Sequence, residues 1–320
     1  MVWMKIQTIL LHWKIMKGKL FIFVFLFLFS VLKVASQEQF HALEEHWEPQ
    51  WEKIRVTSYN VLSAFNKVER KDKLVNWLKQ QDPEVSAFQE LSMTQKQFAD
   101  CAKLWGHPYV IILKEKGLSV GISSKKTIEV ISKNINFHHG FLHVKTYGMD
   151  FIVTHLHPGS WRKRLEEANI LVDYINTNKL DSLFLMGDMN AHSPMDADYL
   201  ENNSVLLPLM RGGINSENFP AGNFDYFAIS KLLGTPLLDV IQPFVSVEKR
   251  MSFPSHLLMT TSKQDYRLKK RKERIDFIFA SPKIAPFVVD GYVFNGRETD
   301  YISDHYPVCV DILVDKRLEK

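Results

Sequence analysis

Gly187-Asp188-Met189-Asn190 closes the apolar run Leu183-Phe184-Leu185-Met186, so a buried strand delivers a carboxylate and an amide to its exposed end. Asp188 and Asn190 are two positions apart and share a side if the backbone stays extended. Gly, Asp and Asn also favour turns for local reasons, and an ordinary turn would account for this stretch taken alone. The same kind of cargo, however, recurs at other strand-like runs. Asn60 sits in Tyr59-Asn60-Val61, Glu90 follows the apolar run of residues 85–88, and Thr154-His155-Leu156-His157 ends the run that starts at Phe151. Asp276 lies inside Arg274-Ile275-Asp276-Phe277-Ile278-Phe279, and Ser303-Asp304-His305-Tyr306-Pro307 precedes the last apolar run.

Carboxylates and amides are hard oxygen donors that suit magnesium, manganese or calcium better than zinc. The 2 cysteines, Cys101 and Cys309, exclude a disulfide framework and a cysteine-built zinc site. A cation held by one or two carboxylates and water is the usual arrangement for phosphoryl chemistry. A histidine beside a carboxylate serves there as a general base on water or as a charged clamp on the phosphate. Each position also has a plainer reading. Asp276 could face outward on an alternating strand, His155 and His157 could share an outward face, and Asp304-His305 could cap a turn.

The elements that must carry these residues alternate between β and α patterns. Residues 54–62 alternate and are rich in β-branched and aromatic side chains, which predicts a strand. A helix over residues 70–80 would bury Leu74, Trp77 and Leu78, and one over residues 162–176 would bury Leu165, Ala168, Val172 and Ile175. Further strands are expected over residues 83–90, 109–113, 120–123, 128–131, 274–280, 287–294 and 307–313. Residues 141–146 and 151–155 flank Tyr147-Gly148-Met149-Asp150, a hairpin signal. Helices punctuate the strands without strict alternation, which indicates an α/β layered sandwich rather than a doubly wound parallel sheet. No linker, repeat or low-complexity segment interrupts residues 53–315, read as one domain.

Taken together the motifs resemble the endonuclease/exonuclease/phosphatase superfamily, also called deoxyribonuclease-I-like. The resemblance rests on Asn60, Gln89-Glu90, Thr154-His155-Leu156, Gly187-Asp188-Met189-Asn190, Arg274-Ile275-Asp276-Phe277-Ile278 and Ser303-Asp304-His305-Tyr306-Pro307. It implies a four-layer α/β sandwich of two packed mixed β-sheets flanked by helices, with the site at one end. It implies that Glu90, helped by Asn60 and Asp304, holds a divalent metal, usually Mg2+, with Mn2+ or Ca2+ as alternatives. Asp188 would orient or activate the attacking water, and Asn190 would place it and the phosphate. His305, held by Asp276, would be general base or phosphate partner, and His155 would donate to a non-bridging oxygen. The implied reaction is hydrolysis of a phosphate ester by in-line water attack without a covalent intermediate. His157 is not carried over.

The catalytic set does not choose among nucleic acid, phospholipid and small phosphate esters. The basic run Arg267-Leu268-Lys269-Lys270-Arg271-Lys272 leads into the Asp276 strand. Lys269, Lys270, Arg271 and Lys272 are therefore candidate contacts to a polyanionic backbone, with a solvated basic loop as the competing reading. Residues 206–223, with Arg211-Gly212-Gly213 and Pro220-Ala221-Gly222, could border the cleft. No long apolar hairpin of a membrane-seated enzyme is evident, and Phe219, Phe224, Tyr226 and Phe227 read as core or stacking residues. A nucleic-acid phosphodiesterase is the first expectation, a sphingomyelin or phospholipid phosphodiesterase or a phosphatase of the same fold the second, and a catalytically silent binding domain the third. A monomer is expected.

The net charge of +4 and pI near 8.8 permit an anionic substrate without requiring one, and the 46% apolar composition supports a sizeable core. At the amino terminus, the apolar run of residues 20–32 follows Lys17 and Lys19 and precedes Val34-Ala35-Ser36. Charged region, apolar region and small-residue site in that order read as a secretory signal over residues 1–36, too short for an ordinary bilayer span. An uncleaved signal anchor is the competing reading, and Met16 is a candidate start. Residues 37–52 would be an extension and 316–320 a tail.

Overall fold

The computed structural model describes residues 51–211, 216–261 and 272–316. The expected signal lies outside them. The described residues from Lys53 onward belong to one compact unit. Its first sheet contains β1 (Trp51–Asn60), β2 (Val85–Leu91), β3 (Tyr109–Ile112), β4 (Ser119–Ser124), β11 (Val288–Val293) and β12 (Val308–Asp315), in the order β11-β12-β1-β2-β4-β3. The second contains β5 (Glu129–Asn134), β6 (Phe141–Thr146), β7 (Met149–His155), β8 (Leu183–Asp188), β9 (Leu238–Asp239) and β10 (Asp276–Ala280), in the order β5-β6-β7-β8-β10-β9. Both are mixed: β1 runs parallel to β2 and β7 parallel to β8, while β2–β4, β6–β7 and β8–β10 are antiparallel.

Alternation along the strands separates the layers. Ile54, Val56, Val85, Ala87 and Ile122 of the first sheet join Val144, Phe151, Val153, Phe184, Met186 and Ile278 of the second in one core cluster. The opposite faces are covered by helices. Against the first sheet, Tyr59 and Phe88 pack with Leu74, Trp77 and Leu78 of α1 (Val68–Gln81) and Phe98 of α2 (Gln95–Ala102). Against the second, Ile152, Leu185, Phe277 and Phe279 pack with Ala168, Leu171, Val172 and Ile175 of α3 (Trp161–Thr177). The expected four-layer sandwich is therefore the fold.

Local chemistry sets the element ends. α1 stops at Asp82, left-handed at φ 45°, whose N–H bonds Leu78 O, and Pro83 bars continuation. α2 starts with a capping box between Thr94 and Gln97. The β6–β7 hairpin turns on Tyr147 and Gly148 alone, at φ 52° and 70°, so Met149 and Asp150, expected in the turn, already belong to β7. In α3, Leu165 is only half-buried, because the helix turns Arg164 inward to bond Asp225 at 2.7 Å and Asn218. The segment expected to border the cleft folds partly onto itself. Leu206 and Met210 of a short helix, Leu206–Arg211, pack with Phe219 and Phe224 in a satellite cluster, whereas Phe227 is 49% exposed.

Gly187 is the tightest point of the second sheet. Its φ is +149°, and a Cβ there would lie 1.9 Å from Thr154 O on the paired strand. Gly187→Ala is expected to destabilise the protein by at least ~2 kcal/mol, measured as a lower urea midpoint at unchanged m-value.

Candidate active site

The strand register places the chemistry. His155 of β7 pairs with Asp188 of β8, and Asp188 pairs with Asp276 of β10, so adjacent strands deliver the three side chains in one row. By alternation the row continues the face of Val153, Met186 and Ile278, and the apolar core between the sheets thus ends in polar groups. Asp276 is 1% exposed and His155 3%, which removes the outward-facing reading of both. Across the gap, Asn60 ends β1 on the core-facing side, and its Nδ2 donates to Asp188 Oδ2 at 3.0 Å and to Glu90 Oε1 at 3.2 Å.

Glu90 reaches this position through a bulge. Strict alternation would place it with Phe88, which packs beneath α1 and α2. Instead the β2–β4 register shifts between Phe88 and Leu91, with Glu90 left-handed at φ 58°. The bulge re-aims the carboxylate toward Asn60.

His305 comes from the loop before β12. Its Nδ1 lies 2.8 Å from Asp276 Oδ2, and its Nε2 lies 3.6 Å from Asp188 Oδ2. The turn-cap reading is thereby displaced by a buried histidine–carboxylate pair. Ser252 Oγ accepts from the Asp276 N–H at 3.1 Å and so holds that end of β10. Asn190, left-handed at φ 49°, donates its backbone N–H to Asp188 Oδ1 at 2.9 Å. Its amide Nδ2 lies 3.0 Å from His155 Nε2 and donates to Leu156 O at 3.1 Å.

These contacts fix the charges. Burial would raise the Asp188 carboxyl, but the charges of His305 and His155 and the hydrogen bonds from His155 and Asn60 outweigh it and hold the group well below the usual carboxylate range. For Asp276 burial prevails over His305, Asp188 adds repulsion, and the pKa rises to about 6. Burial opposes a charged His305, yet the carboxylates of Asp276 and Asp188 raise it well above the ordinary histidine value. His155 is raised in the same way, its burial outweighed by Asp188. The resulting site pairs an ionised Asp188 with a cationic His305 and with His155, whose charged form Asp188 favours, an arrangement suited to a water molecule and a phosphoryl group.

The sequence motifs miss several neighbours. His139 stacks on His155 at 4.1 Å between ring centroids and 11° between planes, and burial pushes it down to about 3, so it stays neutral. Arg70 of α1 donates to Val61 O and Leu62 O, just after Asn60. Neither shows a local signal, since a histidine pair before a strand and a charged helix start are both ordinary. His157 is half-buried beyond the strand and pushed down to about 4 by burial. Of the basic run, Lys269, Lys270 and Arg271 lie outside the described residues. Lys272 is partly buried, donates to Pro254 O at 3.1 Å and sits 5.7 Å from the Tyr306 ring centroid.

Asp276→Asn removes the charge that His305 Nδ1 faces while keeping the shape of the pair. The His305 pKa, followed by NMR of its ring protons, is expected to drop by at least about one unit. An unchanged titration would show that the pair does not set the charge of His305.

The fold is similar to that of known proteins. An AP endonuclease from Archaeoglobus fulgidus superposes with a TM-score of 0.63 at 22% identity, covering 81% of this chain and 99% of that one. A 3'-5' exonuclease from Neisseria meningitidis does so with a TM-score of 0.59 at 19% identity and the same coverage, 81% and 99%. A Neisseria 3' phosphatase bound to a product DNA hairpin gives 0.60 at 18% identity, again covering 81% and 99%. At these identities the likeness concerns the fold. No curated protein matches the chain in sequence. The sequence model of the Endonuclease/Exonuclease/phosphatase family spans residues 57–305, from β1 to His305, and the chain belongs to that family of phosphate-ester hydrolases.

Proposed function

We propose that the protein is a divalent-metal-dependent phosphodiesterase that cleaves nucleic acid by in-line attack of water. The observation that carries this reading is the row His155, Asp188 and Asp276, closed by His305 and faced by Asn60 and Glu90. Asp188, ionised and tied by several donors, orients the attacking water and polarises its O–H bond. Asn190 places that water against the phosphate. His305, held cationic between Asp276 and Asp188, meets the non-bridging oxygens as charge builds on them. That favours the clamp over the general base among its two candidate roles. His155 supplies a second donor from the other side. Among the described residues the site holds no serine, threonine or cysteine hydrogen-bonded to an imidazole, and the oxygens of Asp188 are occupied by hydrogen-bond donors, which supports direct hydrolysis without a covalent intermediate.

The oxygen donors of Asn60, Glu90 and Asp304 suit a hard cation. Glu90 and Asp304 are both half-buried. Glu90 Oε1 accepts from Asn60 and Asp304 Oδ1 from Ser303, so each keeps a second oxygen to offer. Asp188, Asp276 and His305 also have donor atoms within 4.8 Å of one another. A cation there would have to displace the proton of His305, which favours the Glu90 side. When bound, Mg2+ or Mn2+ neutralises charge on the phosphoryl oxygens.

The apolar run of residues 20–32 behind Lys17 and Lys19 supports export of the chain. A nucleic-acid substrate is supported by the basic run before β10 and by the DNA named with one fold neighbour.

The test is nicking of supercoiled plasmid by purified protein with Mg2+ and with chelator. Metal-dependent nicking is expected, and His305→Ala or Asp188→Asn should lower it at least about 10^3-fold with the fold retained. Wild-type turnover by either variant would overturn the roles. Turnover of sphingomyelin with an intact plasmid would transfer the site to phospholipid. Converting Lys269, Lys270 and Arg271 to Gln should raise KM on DNA and flatten the salt slope by roughly two to three units. An unchanged slope would assign the run to a solvated loop.

A further inference from the structure

Arg70 stands in the first turn of α1, half-buried, with its guanidinium turned toward the end of β1 rather than to solvent. Nη2 donates to Val61 O at 2.9 Å and Leu62 O at 3.0 Å, and Nε donates to Ile302 O at 2.6 Å. The first two carbonyls directly follow Asn60, and the third lies two residues before Asp304. The turn after Asn60 also supports Glu90: Val61 N bonds Gln89 O at 3.1 Å, and Ser63 bonds Glu90 O through its N–H at 3.0 Å and its hydroxyl at 3.2 Å. One planar fork thus ties together the backbone segments that present Asn60, Glu90 and Asp304.

That backbone is not at rest by itself. Leu62, Ser63 and Glu90 have φ of 45°, 53° and 58°, the left-handed region that side chains with a Cβ enter reluctantly. Such conformations persist where surrounding contacts over-determine them, and they collect at functional sites. Asn60 Oδ1 accepts from Leu62 N at 3.1 Å, so the orientation of the Asn60 amide depends on the same turn. Relaxation of this turn would swing the Asn60 amide and Glu90 apart.

We infer that Arg70 is a positioning residue that holds the strained turn after β1 and the loop before β12 in the geometry in which Asn60, Glu90 and Asp304 bind a divalent cation. This rests on the assignment of those three residues under the proposed function. Two effects of Arg70 oppose each other. As a clamp it strengthens cation binding, whereas its positive charge, in electrostatic reach of Asp304 and Glu90, weakens it. Lysine separates the two, because it keeps the charge and loses the fork that spans both segments.

The experiment is direct binding of Mn2+ to the substrate-free protein by electron paramagnetic resonance, with circular dichroism as the fold control. Arg70→Lys is expected to weaken Mn2+ binding about tenfold, the scale of groups that orient metal ligands, and Glu90→Gln to abolish it. A purely structural Arg70 would lower Tm and leave the Mn2+ affinity of the folded protein unchanged. Arg70→Lys within twofold of wild type, with Glu90→Gln unable to bind, would overturn the clamp and leave the cation site standing. Wild-type binding by Glu90→Gln would overturn the cation site and the clamp with it. Should Arg70→Lys not fold, Arg70→Gln tests the same clamp. Weaker binding despite the lost repulsive charge supports it, and unchanged or tighter binding overturns it.

Discussion

A carboxylate buried at the end of an apolar inter-sheet core costs several kcal/mol unless its lone pairs are filled by donors, and Asp188 is such a group, at 1% exposure. The site follows from meeting that requirement. Asn190 supplies a backbone N–H, Asn60 an amide from the opposite sheet, and His155 and His305 supply imidazoles on either side. Each donor must come from a different strand end, so the two sheets have to meet in one register for Asp188 to be satisfied. The same donors converge on the space in which water and a phosphoryl group would react. The contacts that keep the buried charge tolerable and the contacts that would do chemistry are therefore the same contacts.

Much of this is spelled locally and some of it cannot be. The motifs around Asn60, His155, Asp188, Asp276 and His305 mark strand ends because strand-length apolar runs adjoin polar residues. Their convergence depends on pairing between β7, β8 and β10, which no single stretch encodes. Glu90 shows the limit more sharply. Alternation along β2 points it to the helix-covered face, and only the bulge with its left-handed backbone returns it to the site. Arg70 lies in Val68-Glu69-Arg70-Lys71-Asp72-Lys73, which reads as a solvated helix start. Two of its carbonyl partners, Val61 and Leu62, lie across the preceding turn, and the third, Ile302, is a distant tertiary neighbour. Leu165 and Arg164 make the same point for packing, since the pull of Asp225 turns a charged residue inward and leaves the apolar one half-buried.

Strain and electrostatics work in the same place. Leu62, Ser63, Glu90 and Asn190 are left-handed. Those at Glu90 and Asn190 aim polar groups at Asn60, Asp188 and His155 that an extended backbone would direct elsewhere. A rigid, pre-oriented set of donors needs little reorganisation as charge develops on a phosphoryl group. This explains why the reacting side chains come from the ends of two stiff sheets and from the short turns braced against them, His305 and Asn190 among the latter. The loops remain for substrate choice.

In the proposed reaction a water held on Asp188 displaces the leaving group directly at phosphorus, with no enzyme nucleophile. The most direct measurement is the stereochemical course on a phosphorothioate diester that is chiral at the scissile phosphorus, cleaved in 18O-labelled water. A single in-line displacement predicts inversion of configuration, with the label in the product phosphate after one turnover. Retention of configuration would require two displacements and a covalent intermediate, and would rule out direct attack by water.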